Sequence, residues 1–377
     1  MKAAVLRGVH DLRVEELPDP HPADNQVLVH VKAAGVCGTD VHMWEGSNTE
    51  GTFPFIPGHE WAGEVVQVGR DIKTVSVGDR VVAEVPIKCR ICANCKDGMD
   101  PNMCSNFELY GFSWEYPGGM AEYTLSKEER LFKIPDNVSY DEAALVEPVS
   151  VAYHGVWRSG AGVAPHDRVV IFGAGPIGLF ALLTCKASGA PVVVVEPQPF
   201  RQEMARDLGA DAIIDPTGGN LVQQVLEQTA GRGATLVVEC SGNNGALESV
   251  LDVVAKQGRI VLIGQSVGRK IPIEIGKAIF TGATIVGSSG SPHFFPKTLA
   301  FMSRRLVDLT AVVTHRFPLA DIVQAFELPA LIAHQACAPT AGSPPQRQRP
   351  AQCAGTGYSA EEKRIVPDGS AKILVLP

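Results

Sequence analysis

The chain has no uncharged apolar run of membrane-spanning length, and its opening segment, MKAAVLRGVHDLRVEELPDP, lacks the apolar core of a secretory signal. It lacks a basic excess as well: 33 Lys and Arg against 41 Asp and Glu leave a formal charge of −8. A nucleic-acid partner would ask for a basic footprint, so that class is set aside and the mild acidity is read as solubility. Internal repeats are missing too. These absences lead to the expectation of a cytoplasmic protein with neither membrane nor nucleic acid as partner. In a reducing compartment its nine cysteines read as metal ligands and buried thiols, not as disulfides.

What is present fits two domains, since 377 residues exceed one comfortable core. The first third holds short β-branched runs punctuated by Gly and Pro: QVLVHVKAAG (26–35), WAGEVVQVG (61–69) and GDRVVAEVP (78–86). Alternation and turn residues predict antiparallel strands of a mostly-β, barrel-like domain. Near residue 150 the pattern changes to alternating strands (168–173, 192–196, 211–215, 235–242, 259–264, 283–288) and helices (176–189, 200–209, 221–230, 245–258). Near-continuous apolar strands with amphipathic helices between them predict a doubly wound α/β fold, a parallel sheet covered on both faces. The expected division is 1–148 for the first domain, 149–287 for the parallel-sheet domain and 288–377 for a return to the first. Within the return, 329–367 is rich in Pro, Ala, Gln and Gly and reads as an irregular insertion. SAKILVLP then reads as a closing strand.

Three motifs carry chemistry. Gly173, Gly175, Pro176, Ile177 and Gly178 form a GxGxxG loop between a predicted strand and a predicted helix. The first glycine permits the turn, the second lets the backbone approach a pyrophosphate, and the third lets helix pack on strand. The next strand ends in Glu196, a carboxylate placed to accept from both ribose hydroxyls and to repel a 2′-phosphate, so NAD is expected in preference to NADP. Arg201 lies a turn further on. Second, Cys89, Cys92, Cys95 and Cys104 are spaced C-x2-C-x2-C-x8-C, a set able to wrap a closed, structural zinc. Third, Cys37, His59, Glu60 and Glu147 offer thiolate, imidazole and carboxylate, the mixed donors of an open, catalytic zinc. Taken singly, each has a plain alternative: a buried thiol, a solvated His-Glu turn, a helix-terminal charge. Sequence distance does not show that they converge.

GHE-x2-G-x5-G (58–69), with CGTDVH upstream, the cysteine quartet, GDRV (78–81) and the GAGPIG loop in this order, resembles the zinc-containing medium-chain alcohol dehydrogenase family. The likeness runs from residue 1 to about 327 and resumes at about 368. It implies a GroES-like catalytic domain followed by an inserted Rossmann domain. EPVSVAYH (147–154) resembles the polyol branch, with threonine 3-dehydrogenase as its neighbour.

Carried over, the resemblance implies a catalytic zinc on Cys37, His59 and Glu60, with Glu147 as fourth ligand or water partner, and a second zinc on the quartet. Thr39 and His42 match the proton relay, and Asp40 a carboxylate that orients the zinc histidine. Lys372 is expected in place of a basic residue that touches the cofactor phosphate. The family quartet has seven residues between its last two cysteines where this chain has eight, which implies a bulged loop with zinc retained.

The expected activity is reversible oxidation of a secondary alcohol of a polyol to a ketone, with NAD, in a homodimer or homotetramer. The alternatives are threonine 3-dehydrogenase and, from another class, a catalytically impaired nucleotide-binding subunit.

Overall fold

The β-branched, Gly-punctuated first third becomes sheet. In the computed structural model, which describes residues 1–377 except 49, 161, 265–269 and 337–370, the chain forms two compact units. One comprises Met1–Leu145 with Val313–Pro377, the other Val146–Val312.

The first unit begins with a hairpin of β1 (Lys2–Gly8) and β2 (Asp11–Glu16). β3 (Gln26–Val36), α1 (Gly38–Trp44), β4 (Glu60–Val68) and β5 (Arg80–Ala83) follow. A lobe then carries β6 (Pro86–Ile87), α2 (Ala93–Lys96) and β7 (Glu108–Leu109). After it come β8 (Tyr123–Lys127), β9 (Leu131–Lys133) and α3 (Tyr140–Ala144). The strand expected over 78–86 is shorter, because 77–78 form a turn and Glu84–Val85 leave the ladder.

The second unit runs α4 (Val146–Arg158), β10 (Val169–Phe172), α5 (Pro176–Ala187), β11 (Val192–Val195), α6 (Pro199–Asp207), β12 (Ala212–Ile214) and α7 (Leu221–Gln228). It continues with β13 (Ala234–Glu239), α8 (Asn244–Val253), β14 (Val254–Leu262), α9 (Gly276–Thr281), β15 (Thr284–Gly287) and α10 (Phe295–Ser303). The six strands pair in parallel in the order β12-β11-β10-β13-β14-β15. That is the Rossmann order, two βαβαβ halves meeting at β10 and β13. The helix expected over 245–258 ends at Val253: Val254 and Ala255 are buried, and Val254 pairs with Ala234, so VAKQG extends the strand.

β16 (Val313–Pro318), α11 (Ile322–Ala336) and β17 (Lys372–Leu376) belong to the first unit. Its seven-stranded sheet has the order β16-β17-β3-β4-β5-β9, with β8 also on β3. β8 pairs with Gln26–His30 and β17 with Ala34–Val36, so the two share one edge of β3 while β4 takes the other.

The units therefore change at 146 and 313, whereas the sequence placed the changes at 149 and 288. α4 and α10 pack together inside the second unit, with Tyr153 against Phe294 and Phe301 at centroid distances of 5.7 and 5.3 Å. The insertion expected from 329 is helical in its first eight residues, since α11 runs through Pro329 to Ala336. Its remainder, 337–367, lies outside the described residues. Among the described residues no helix is long and apolar enough to cross a membrane.

Candidate functional site

The register of β3 on β4 explains how residues over twenty positions apart meet. Gly35 pairs with Glu60, so the exit of β3 and the start of β4 lie side by side. Cys37 is the N-cap of α1, and its N–H donates to Asp40 Oδ2 at 3.0 Å. Asp40 is fully buried. Its Oδ1 accepts from Gly58 N–H at 3.4 Å and faces His59 Nδ1 at 3.6 Å. One carboxylate thus ties the Cys37 turn to the strand carrying His59. Nδ1 is buried and has no hydrogen-bond partner among the described residues, which leaves Asp40 as the group that orients the ring. Burial disfavours the imidazolium, but the Asp40 and Cys37 charges outweigh it and raise the His59 pKa well above its ordinary value.

Ligand atoms of Cys37, His59 and Glu60 all lie within 4.8 Å of one another. Donors 2.0–2.3 Å from a tetrahedral zinc stand about 3.5 Å apart, so the three need only small side-chain shifts to share one ion. With Nδ1 turned towards Asp40, Nε2 is the nitrogen left for a metal. The residues present fit a zinc ion.

Glu60 and Lys372 are 1% and 2% exposed and form an ion pair, Lys372 Nζ to Glu60 Oε2. Lys372 also donates to the Val36 carbonyl at 2.9 Å. A Cβ on Gly35 would stand 2.0 Å from Glu60 Oε2, so this position has to be glycine for the carboxylate to sit there. The expectation that Lys372 touches the cofactor phosphate is corrected. β17 pairs with the end of β3, and that register delivers the amine into the buried ligand cluster. Gly35 carried no signal of its own in the sequence beyond standing two residues before Cys37.

Thr39 and His42 both lie on α1, three residues apart and so on one face of it, each half-buried. Burial lowers the His42 pKa, with Glu45 opposing, so the imidazole is neutral at neutral pH. Trp44 and Phe112 serve as wall: Trp44 packs edge-on against Phe326 and His10, and Phe112 lies 5.5 Å from the His59 ring. Glu147 is on the first turn of α4, in the second unit, and its carbonyl accepts from Ser150 Oγ at 2.6 Å.

The sulfur atoms of Cys89, Cys92, Cys95 and Cys104 converge within 4.8 Å. Peptide N–H groups already aim at them: Cys92 N to Cys89 Sγ, Cys95 N to Cys92 Sγ, and Cys89 N to Cys104 Sγ, at 3.3–3.4 Å. Backbone donors at Ser105 and Cys95 push the Cys92 pKa down to about 6, while burial and neighbouring thiols push Cys95 up to about 12. Such a set favours thiolate at some positions and needs a cation to ionise the rest. The longer spacing before Cys104 is taken up by Gly98 at φ 73° and a 3-10 turn at Pro101–Met103.

The glycine loop joins β10 to α5. Gly173 takes φ 94°, and a Cβ on Gly178 would stand 1.9 Å from the Gly173 carbonyl, so neither position tolerates a side chain. Gly175 is the N-cap of α5 and Pro176 opens the helix, with Ile177 next. A Cβ on Gly175 would meet nothing within 4 Å; the open space beyond it is where a pyrophosphate can approach the helix N-terminus. Glu196 is 3% exposed, accepting from Ala174 N–H at 2.7 Å and Gln198 N–H at 2.9 Å. Each carboxylate oxygen keeps a lone pair for a ribose hydroxyl. The loop and Glu196 fit a dinucleotide. Arg201 lies half-buried on α6, its Nε without a hydrogen-bond partner among the described residues. Glu239, which the sequence did not single out, is fully buried at the end of β13. It accepts from Ser241 and Gly242 N–H, and burial raises its pKa.

Two family models match: the alcohol dehydrogenase GroES-like domain over residues 23–136 and zinc-binding dehydrogenase over 176–304. The chain is 33% identical to sorbitol dehydrogenase of Bacillus subtilis (strain 168) over 332 residues, 87% of this chain and 93% of that one. It is 36% identical to L-threonine 3-dehydrogenase of Pyrococcus furiosus over 323 residues, 83% and 90% of the two chains. The crystal structure of 2R,3R-butanediol dehydrogenase from Bacillus subtilis superposes with a TM-score of 0.82 at 29% identity, covering 100% of this chain and 99% of that one. With its mixed-donor cluster, its cysteine quartet and its Rossmann loop all in place, the chain belongs to the zinc-binding alcohol dehydrogenase family.

Proposed function

We propose that the protein reversibly oxidises a secondary alcohol of a polyol to a ketone, with NAD as hydride acceptor. The observation that carries this reading is the convergence of Cys37, His59 and Glu60 at the β3–β4 register. The 33% identity to a sorbitol dehydrogenase supports the substrate class. Threonine 3-dehydrogenase activity is the second reading, favoured by the 36% identity to an enzyme of that name.

In this reading Cys37, His59 and Glu60 hold the catalytic zinc, with Glu147 as fourth ligand or water partner. Cys89, Cys92, Cys95 and Cys104 hold the structural one. When bound, zinc supplies a Lewis acid that makes an alcohol easier to ionise, and NAD supplies the hydride acceptor. Asp40 keeps the His59 ring turned so that Nε2 faces the ion. Thr39 Oγ1 accepts the proton of the substrate hydroxyl and passes its own on towards His42, which burial keeps neutral and able to receive it. Gly175 and the α5 N-terminus hold the pyrophosphate; Glu196 takes the ribose hydroxyls and excludes a 2′-phosphate. Arg201, on α6, is assigned in this reading to the adenosine ribose.

The protein is proposed to be a homodimer or homotetramer in the cytoplasm. β15 is the outer strand of its sheet, and Ile275, Ile279, Phe280 and Ile285 are 59, 80, 89 and 37% exposed on and beside it. A second copy added at that edge would cover both the apolar side chains and the unpaired backbone groups.

The test is NAD reduction by the zinc-loaded protein against sugar alcohols, cyclitols and L-threonine, with chelator controls. Chelator-sensitive turnover of a polyol supports the first reading, and turnover of threonine alone supports the second. Silence across the panel with two zincs bound would sink both.

A further inference from the structure

Ser150, His154 and Arg158 stand four residues apart on α4, so they form one stripe along the helix. Arg158 reaches the last residue of β15, and His154 and Ser150 reach the segment that follows it, so the three contacts run in reverse order. Ser150 Oγ is 2.5 Å from Ser291 Oγ, His154 Nδ1 is 2.9 Å from the Gly290 carbonyl and 3.3 Å from Ser288 Oγ, and Arg158 Nε donates to the Gly287 carbonyl at 2.9 Å. Ser150 and His154 are 0% and 5% exposed, and Ser288 and Ser291 are each 9% exposed.

The partners fix the protons. The Ser150 hydroxyl lies 2.6 Å from the Glu147 carbonyl, which can only accept, so its proton is committed there and Ser291 is the donor of the serine pair. The Gly290 carbonyl likewise accepts only, so His154 Nδ1 carries a hydrogen. Phe294 packs against the imidazole at 4.8 Å, which holds the ring in place. Gly290 itself takes φ 58°, a left-handed shape that glycine adopts without steric cost.

In a doubly wound sheet of this order each half receives one nucleotide at the carboxyl ends of its strands. The half with the glycine loop and Glu196 takes the adenosine, so residues 287–291, at the end of β15, face the nicotinamide end. We propose that Ser150, His154 and Arg158 are positioning residues: a polar rail on α4 that fixes backbone 287–291 and so sets the nicotinamide end of the bound dinucleotide. This rests on the NAD reading above. It also gives Ser150 a double part, since its other contact holds the helical turn that bears Glu147.

The test compares NADH with ADP-ribose, which lacks the nicotinamide, in binding titrations of the full zinc-loaded chain. His154→Leu is expected to weaken NADH binding about tenfold and to leave ADP-ribose within about twofold. His154→Asn, whose amide N–H reaches where Nδ1–H does, is expected to restore NADH binding to within about threefold of the parent. Ser150→Ala, a smaller change, is expected to weaken NADH about threefold with ADP-ribose again unmoved, and it serves if the leucine variant does not fold. A parallel loss of both ligands, or unchanged NADH binding, overturns the rail. If the parent protein binds neither ligand, the dinucleotide reading itself fails and the rail falls with it.

Discussion

The two candidate metal centres of this chain are built in opposite ways. The quartet Cys89–Cys104 is contained in one lobe of short elements, α2 and a 3-10 turn, with its own peptide N–H groups aimed at its sulfurs. The Cys37, His59 and Glu60 cluster is laid on a large sheet, locked by Asp40, and shares its carboxylate with a buried lysine. One centre is shaped by local turns and their own peptide N–H groups; the other is shaped by the register of distant strands. On the proposed reading a metal ion would supply stability in the first and reactivity in the second.

Several substitutions would break or sharpen that contrast. The largest effect is expected for His59→Ala: turnover falls about a thousandfold or more, one zinc of two is lost by elemental analysis, and thermal stability barely moves. A variant that keeps full turnover would remove His59 from the reaction.

Next comes Lys372→Met, which leaves the Glu60 carboxylate buried without its cation. Urea unfolding of the metal-free protein is expected to show a loss of about 3 kcal/mol, and a smaller loss once zinc can take the charge. Equal losses with and without zinc would mean that Glu60 never turns to the metal.

Cys92→Ser works at the other centre. It should release one zinc and lower the melting temperature by about 4–8 °C, while turnover at 25 °C stays within about threefold. Loss of turnover without loss of stability would erase the distinction between the two sites.

The smallest effect concerns His42, whose pKa lies below its ordinary 6.5 because of burial. A protonated imidazole cannot accept a proton, so alcohol oxidation should fall as pH drops through that lowered value. His42→Gln should flatten this acid limb at a cost of about tenfold. An unchanged pH profile would take His42 out of the proton path.

How far the sequence was readable follows the same contrast. The quartet was legible because four cysteines in sixteen residues leave few other readings. The glycine loop and Glu196 were legible because strand, loop, helix and strand occur in order. Cys37, His59 and Glu60 were legible as residue types and by family resemblance, but their meeting depends on Gly35 pairing with Glu60, a register that no spacing reveals. Lys372 was expected at the cofactor phosphate by family resemblance, and only the pairing of β17 with β3 shows that it turns to Glu60 instead. Two boundaries slipped for local reasons. VAKQG was read as helix although Val254 pairs with Ala234 and Ala255 is buried beside it, and 329 was taken as the start of an irregular insertion although the Ala- and Leu-rich stretch there continues α11. The rail on α4 was invisible, since it joins positions more than a hundred residues apart.

The hydrogen bond from Lys372 to the Val36 carbonyl closes a loop of 336 residues. At about 5–20 residues per second of synthesis, Val36 leaves the ribosome roughly 20–70 s before its partner exists. For that interval the Ala34–Val36 stretch of β3 lacks its β17 partner and Glu60 is a carboxylate without the Lys372 cation. Meanwhile Val146–Val312 has all its own strands and is free to finish first. The Cys37, His59 and Glu60 cluster thus gains its lysine last, and that ion pair reports that everything between has been made.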